Sequence, residues 1–280
     1  MIVLGQCLPL ASNSVVIALT RDVSPAIVAC ELTHLERVPI DVERARAEHA
    51  AYERALAAEG CVVRRVRPAP DQPDAVFIED TAVVLDELAV IARPGAPSRR
   101  GETIAVAEAL REHRPISRIR APGTLDGGDV LLVGRRIYVG VGARTNEAGV
   151  DQLRALTSPH GYVVRSVRFT GCLHLKSAVT LVGDGLLLVN PEWVNPAVFD
   201  GERTLAIDSS EPFAANALLV GERVVLHGEQ FQRTRRILED AGVRVVPVPA
   251  TELAKAEGGV TCCSLLVAAS PSVTSITAVS

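Results

Sequence analysis

A chain of 280 residues that is 48% apolar and 22% charged has the make-up of a globular protein with a large core, which excludes a disordered or fibrous chain. No apolar run is long enough to cross a bilayer, so no membrane partner is expected; the aliphatic start from Met1 to Ser12 has neither preceding basic residues nor a small-x-small cleavage site and does not read as an export signal. A net charge of −4 without a basic stripe leaves no electrostatic footprint for nucleic acid.

In chain order, Ser14 to Thr20 is an aliphatic, β-branched run that reads as a strand. Asp41 to Glu59 is rich in Ala, Leu, Glu and Arg with apolar residues near three-to-four spacing, which predicts a helix ended by Gly60. A polar cluster followed by two Val/Leu/Ile-rich runs then spans Phe77 to Pro94. The same plan recurs from Leu125 to Gly142, from Leu173 to Asn190 and from Phe213 to Gly228. Asp-Glu, Gly-Arg-Arg, Gly-Asp-Gly and Gly-Glu-Arg separate the paired runs, and each is a credible hairpin turn. A fifth copy, Val260 to Val267, lacks its second run; the strand at Ser14 to Thr20 supplies it if the chain ends meet. Further helical segments, Glu102 to Glu112, Asn146 to Leu156 and Glu229 to Ala241, lie between copies, the last ended by Gly242.

Alternating helical and strand patterns predict an α/β protein, and fivefold repetition predicts units arranged around an axis. One domain over residues 1–270 accounts for the repeat, with 271–280 as a C-terminal tail. Rotationally related units bring equivalent positions together. The position before each first apolar run holds Glu79-Asp80, Asp126 with Asp129, His174 with Lys176, Asn216, and Cys262-Cys263, so acidic groups, a histidine and a cysteine are expected to meet in one central cleft.

Six cysteines scattered through the chain (Cys7, Cys30, Cys61, Cys172, Cys262 and Cys263) predict free thiols and a reducing, cytoplasmic compartment. The adjacent pair lacks the spacing that lets two sulfurs share one zinc, so no metal site is expected. If Cys262 and Cys263 stand on a strand, only one of them faces the cleft. A buried thiol is usually a small hydrophobe, which suits one of the pair; the other is a nucleophile if a cation stabilises its thiolate. His174 is its candidate partner, because imidazole both takes and gives protons near neutral pH. Two glycines between the carboxylates of Asp126 and Asp129 predict close backbone approach beside an acceptor-rich surface, although an ordinary turn also explains them. Carboxylates lining a cleft suit a guanidinium, and Arg99 and Arg144, each in a loop between a strand and a helix, suit a carboxylate.

These residues carry a resemblance. Asp74 to Val84, Arg93 to Arg100, Thr124 to Leu131, Gly142 to Asn146, Leu173 to Ser177 and Val260 to Ser264 are similar, in order, to blocks of the dimethylarginine dimethylaminohydrolases, of the pentein or guanidino-group-modifying superfamily. The resemblance implies a five-bladed αβ-propeller, with Cys262 as nucleophile and Cys263 as the packed thiol. It also implies His174 as general acid and base, Asp126 as the group that orients it or holds the substrate, and Glu79 and Asp80 as receivers of the guanidinium. Asp74 resembles the residue that meets the substrate's α-amino group, and Arg99 and Arg144 resemble the pair holding its α-carboxylate. Leu32, through a backbone contact, and Phe77 and Ala256 complete the implied substrate-binding set. Two departures bear on specificity: Ala29 to Asp41, where the family has a flexible lid, is unlike the mammalian pattern, and Glu257 stands where an aspartate is familiar.

The constellation and the resemblance together predict a hydrolase of linear amidines that needs no metal or organic cofactor and acts on a small molecule, a methylated arginine. The Cys262 thiolate attacks the guanidinium carbon, His174 protonates the departing amine, and water cleaves the thiouronium to give citrulline. The rivals are arginine deimination, citrulline hydrolysis or amidino transfer on the same scaffold, and a non-catalytic binding protein of the same fold. The outer strands and helices of the ring leave a homodimer open.

Overall fold

A computed structural model describes residues 15–269; the start from Met1 to Ser12, Cys7 and the tail at 271–280 lie outside the described residues. The paired apolar runs form antiparallel hairpins, as their turns predict. Ala82–Val84 faces Ala89–Ile91, Val130–Val133 faces Arg136–Gly140, Val179–Gly183 faces Leu186–Val189, and Ala217–Gly221 faces Val224–Gly228. The fifth hairpin joins distant parts of the chain: Leu265–Ala268 runs antiparallel to Val16–Thr20, with Ile17 opposite Val267. The ring closes as the incomplete fifth copy implies.

Each hairpin carries a third, outer strand that the sequence reading did not find. Val62–Arg65, Ile116–Arg118, Val163–Val167, Arg203–Ala206 and Arg244–Val248 each pair in parallel with the second strand of a hairpin, giving five three-stranded sheets. Outer strands are short and largely solvent-facing; Val62, Arg64, Arg65, Arg203 and Thr204 are exposed, so no apolar alternation marks them. Their existence follows from the helices. Two parallel neighbours cannot be joined by a tight turn and need a crossover, and the helices Val42–Ala58, Thr103–Leu110, Glu147–Thr157 and Gln232–Asp240 supply four of them. The third unit crosses over with only the short 3-10 turn Pro196–Val198.

The helices start and stop where local chemistry dictates. The side chains of Asp41 and Asn146 accept from the amides of Arg44 and Gly149, satisfying free N–H groups of the first turn. Gly60 and Gly242 follow helices at φ of +87° and +78°, a left-handed backbone that costs glycine no Cβ clash. Val150 and Leu153, fully buried, press one helix onto Val90, Leu125 and Ile137 of two neighbouring units.

The result is a five-bladed αβ-propeller. The first strands of the hairpins lie innermost, and Ala82, Leu131, Thr180, Leu218 and Leu265, one from each, line a single axial cavity of about 190 Å³. Every polar cluster therefore enters at the same end of the ring. Among the described residues no helix is long and apolar enough to cross a membrane.

Candidate active site

The polar clusters form tight turns before the inner strands: 3-10 turns at Ile78–Thr81, Gly127–Asp129 and Thr261–Cys263, and one helical turn at Leu175–Ala178 just after His174. Such turns need close approach. A Cβ on Gly127 would stand 2.0 Å from the Glu79 carbonyl oxygen, and one on Gly128 would stand 2.7 Å from Asp80 Oδ1 and 2.8 Å from the His174 ring. The Asp-Gly-Gly-Asp sequence thus serves backbone approach to two acidic groups and the histidine.

The histidine is held from both sides. His174 is 5% exposed; its Nε2 lies 3.1 Å from Asp126 Oδ2 and its Nδ1 3.7 Å from Asp80 Oδ1. Asp126 is completely buried, with Oδ1 accepting from the Gly95 amide at 2.9 Å and its own amide donating to Thr145 Oγ1. The Thr145 hydroxyl donates in turn to Asp129 Oδ2 at 2.6 Å, and Asp129 Oδ1 accepts from the Leu175 amide, which fixes the residue after the histidine. Asp80 accepts from the Gly128 amide at 3.0 Å and from Arg99 Nη1 at 2.6 Å.

Burial and charge set the protonation states. Burial disfavours an imidazolium, but Asp80, Asp126 and Asp129 outweigh it and raise His174 to about 9. Burial pushes the Cys262 thiol up to about 12, with Glu79 and Asp80 adding to it against the Gly259 amide and Lys176. Burial also works against ionised Asp80, yet His174 and Arg99 bring its carboxyl down to about 2. Near pH 7 the site therefore holds an imidazolium between carboxylates and a neutral thiol. Burial raises Asp129 to about 6 and also raises Asp74 and Glu79.

Cys262 and Cys263 sit in a 3-10 turn and not on a strand, so strand alternation is not what separates them. Cys262 lines the same narrow cleft as His174, Asp80, Asp74, Arg99, Arg144, Phe77 and Ala256, and its sulfur accepts from the Gly259 amide at 3.3 Å. Cys263 is 2% exposed, lies outside that lining and points its thiol at the Gly259 carbonyl oxygen at 3.6 Å.

Other expected site residues are divided by the geometry. Glu79 and Asp80 diverge: Asp80 faces the cleft, whereas Glu79 lines the axial cavity, accepting from Lys176 Nζ at 2.5 Å and Thr261 Oγ1 at 2.8 Å. Arg99 lines the cleft but is 3% exposed and spends its donors on Asp80, Glu102 and the carbonyl oxygens of Asp74 and Phe77. Arg144 keeps a buried Nη1 without a hydrogen-bond partner, 4.0 Å from Asp126 Oδ2, and directs Nη2 to Thr33 Oγ1. Asp74 accepts from the Glu31 amide. Leu32 is half-buried, packs on the apolar cluster behind Cys262 and does not line the cleft.

The segment after Glu31 is pinned beside this cleft. Glu257, at a left-handed φ of +58°, accepts from three successive amides, those of Thr33, His34 and Leu35, at 3.1, 2.5 and 2.6 Å. Thr145, Glu102 and Glu257's latching role escaped the sequence reading. Only Glu102, three residues after Arg99 at a helix start, carried a local signal. Asp80, Asp126 and His174 are the one set among the described residues whose donor atoms lie close enough, within 4.8 Å, to share an ion; all three are bonded as described above.

The model of the eukaryotic N,N dimethylarginine dimethylhydrolase family matches residues 34–267. An N(G),N(G)-dimethylarginine dimethylaminohydrolase of Streptomyces coelicolor is 43% identical over 250 residues, covering 89% of this chain and 95% of its own. The enzyme of that name from Pseudomonas aeruginosa is 38% identical over 229 residues, covering 80% and 89%. A solved structure of the Pseudomonas aeruginosa protein, a cysteine-to-serine mutant complexed with citrulline, superposes with a TM-score of 0.85 at 34% identity over 89% of this chain and 98% of that one.

Proposed function

The chain belongs to the dimethylarginine dimethylaminohydrolase family, and on that premise we propose that its cleft hydrolyses Nω-methylated arginines to citrulline and dimethylamine or methylamine through a covalent intermediate on Cys262. The observation that carries this reading is the enclosure of one thiol and one doubly flanked imidazolium in a cleft whose remaining polar walls are carboxylates and arginines.

The chemistry follows from charge. A guanidinium entering beside Asp80 brings one positive charge, and loss of the Cys262 proton to solvent restores the charge balance of the buried cluster. Substrate binding thus generates the nucleophile. The thiolate attacks the guanidinium carbon; the C–N bond to the methylated nitrogen breaks as the His174 imidazolium gives that nitrogen its proton, leaving a thiouronium and a neutral imidazole. Water then attacks the same carbon and His174 takes one of its protons; collapse breaks the C–S bond to release citrulline, the remaining hydroxyl proton passing to the departing Cys262 sulfur or to solvent. Asp126 and Asp80 favour the imidazolium at each turn of the cycle. Arg144, with a spare buried donor, is the group for the α-carboxylate, and Asp74 for the α-amino group; Arg99, with its donors engaged, acts as counter-ion that holds Asp80. Phe77 and Ala256, on the cleft wall, flank the aliphatic part of the substrate; Leu32, packed behind the wall, and Glu79, paired with Lys176 in the axial cavity, are not among its side-chain contacts.

The test is product analysis with N,N-dimethylarginine, N-methylarginine, arginine and citrulline. Equimolar citrulline and dimethylamine from the first, lost in Cys262→Ser, supports the reading; release of ammonia from arginine without dimethylamine from dimethylarginine overturns it. A cytoplasmic location belongs to the same proposal, supported by the free state of Cys30, Cys61, Cys172, Cys262 and Cys263. Homodimerisation through the outer strands, where Val62 and Val163 are exposed, is tested by sedimentation velocity.

A further inference from the structure

The fourth unit contributes no acid, base or nucleophile, yet its polar residue Asn216 is only 7% exposed and bonds to the third and fifth units. We propose that Asn216 is a positioning residue: it clamps the turn that carries Cys262 and aims the Gly259 amide at the sulfur.

Three contacts carry this. Asn216 Oδ1 accepts from the Thr261 amide at 3.1 Å, and its Nδ2 donates both to Thr261 Oγ1 at 2.9 Å and to the Lys176 carbonyl oxygen at 3.0 Å. Both amide hydrogens and one acceptor site are thereby used, which leaves a single orientation for the side chain. Thr261 Oγ1 donates on to Glu79 Oε2, and Lys176 Nζ donates to Glu79 Oε1, so the four residues form a ring, closed through Lys176 itself, that ties the first, third, fourth and fifth units together. The loop fixes Thr261, the residue before the nucleophile. Asn216 also packs against the other end of the turn. A Cβ on Gly259 would meet Asn216 Oδ1 at 2.4 Å, and it is the Gly259 amide that donates to Cys262 Sγ. Removing Asn216 frees both ends of the turn and weakens the one backbone donor that favours a thiolate. An aspartate cannot substitute, because its second oxygen would face two acceptors.

The inference rests on Cys262 being the nucleophile, so one readout uses no substrate. The alkylation rate of Cys262 by iodoacetamide, followed by peptide mass spectrometry on the full chain at fixed pH, is expected to fall on the order of tenfold in Asn216→Ala and Asn216→Asp. A merely structural role predicts the opposite sign, since a loosened turn exposes the thiol and speeds alkylation. With dimethylarginine, kcat is expected to fall by a similar factor while KM stays within about threefold. Thr261→Val should reproduce the Asn216→Ala effect without adding to it in the double variant, and Thr261→Ser, which keeps the hydroxyl, should restore the wild-type rate. Unchanged or faster alkylation in Asn216→Ala overturns the proposal. Should that variant fail to fold, equal alkylation rates in Thr261→Val and Thr261→Ser overturn it. Normal turnover in Cys262→Ser would instead sink the functional reading itself.

Discussion

Asp126 Oδ2 and His174 Nε2 stand 3.1 Å apart across two neighbouring units of the ring, with the carboxylate wholly buried and anchored at its other oxygen by the Gly95 amide. A carboxylate so fixed decides both where the imidazole points and how firmly it keeps its proton. Asp126→Asn preserves the shape and removes the charge. We expect the alkaline limb of the kcat/KM profile to move to lower pH than the about 9 of His174, with a fall in rate of about tenfold to a hundredfold at neutral pH. An unchanged limb would mean that Asp126 does not act through His174.

The same histidine links stability to pH. Its folded value, about 9, lies above the unfolded value of about 6.5, so protonated His174 stabilises the fold fully below pH ~6.5 and less as pH rises through ~9. The excess stability of wild type over His174→Gln should therefore shrink between those limits, by on the order of 3 kcal/mol at most. Urea denaturation at pH 6, 7.5 and 9 measures it. A gap that grows with pH contradicts the assignment.

Glu257 pins the segment beside the cleft through three amides at once. In Glu257→Ala, hydrogen exchange at Thr33, His34 and Leu35 should accelerate about tenfold or more, since bonds to a charged acceptor are lost together. Exchange in the outer strands should not change. Equal protection at the three amides would show that other contacts close the segment.

Two glycine replacements separate steric need from backbone preference. Gly127→Ala places a Cβ 2.0 Å from the Glu79 carbonyl oxygen, an immovable backbone atom, and should abolish folding or lower Tm severely. Gly60→Ala meets nothing within 4 Å and should cost only about 1–2 kcal/mol, from its φ of +87°. Thermal denaturation ranks the two, and comparable losses would refute the close-approach reading of the Asp-Gly-Gly-Asp turn.

How much of this was legible in the sequence depended on whether a feature repeats. The hairpins were visible because each has two apolar runs and a turn, and the ring closure was visible because the fifth copy lacks a run that Val16–Thr20 supplies. Equivalence of the repeats was enough to bring Asp80, Asp126, His174 and Cys262 together. The outer strands were illegible, being short and exposed. The choice of Cys262 over Cys263 came from family resemblance, and the expected strand geometry for the pair was wrong because a 3-10 turn holds both. Thr145 and Glu257 lie outside the repeated positions, and their partners are distant in sequence. Nothing near them in the chain announces what they hold.

Attack by Cys262 on the guanidinium carbon can be caught by acid-quenching the enzyme during turnover of N,N-dimethylarginine and sequencing its cysteine peptides by mass spectrometry. An amidine adduct that has lost dimethylamine is expected, located on Cys262 and absent from Cys263. Citrulline production at full rate with Cys262 unmodified throughout, or with the adduct on Cys263, would contradict it.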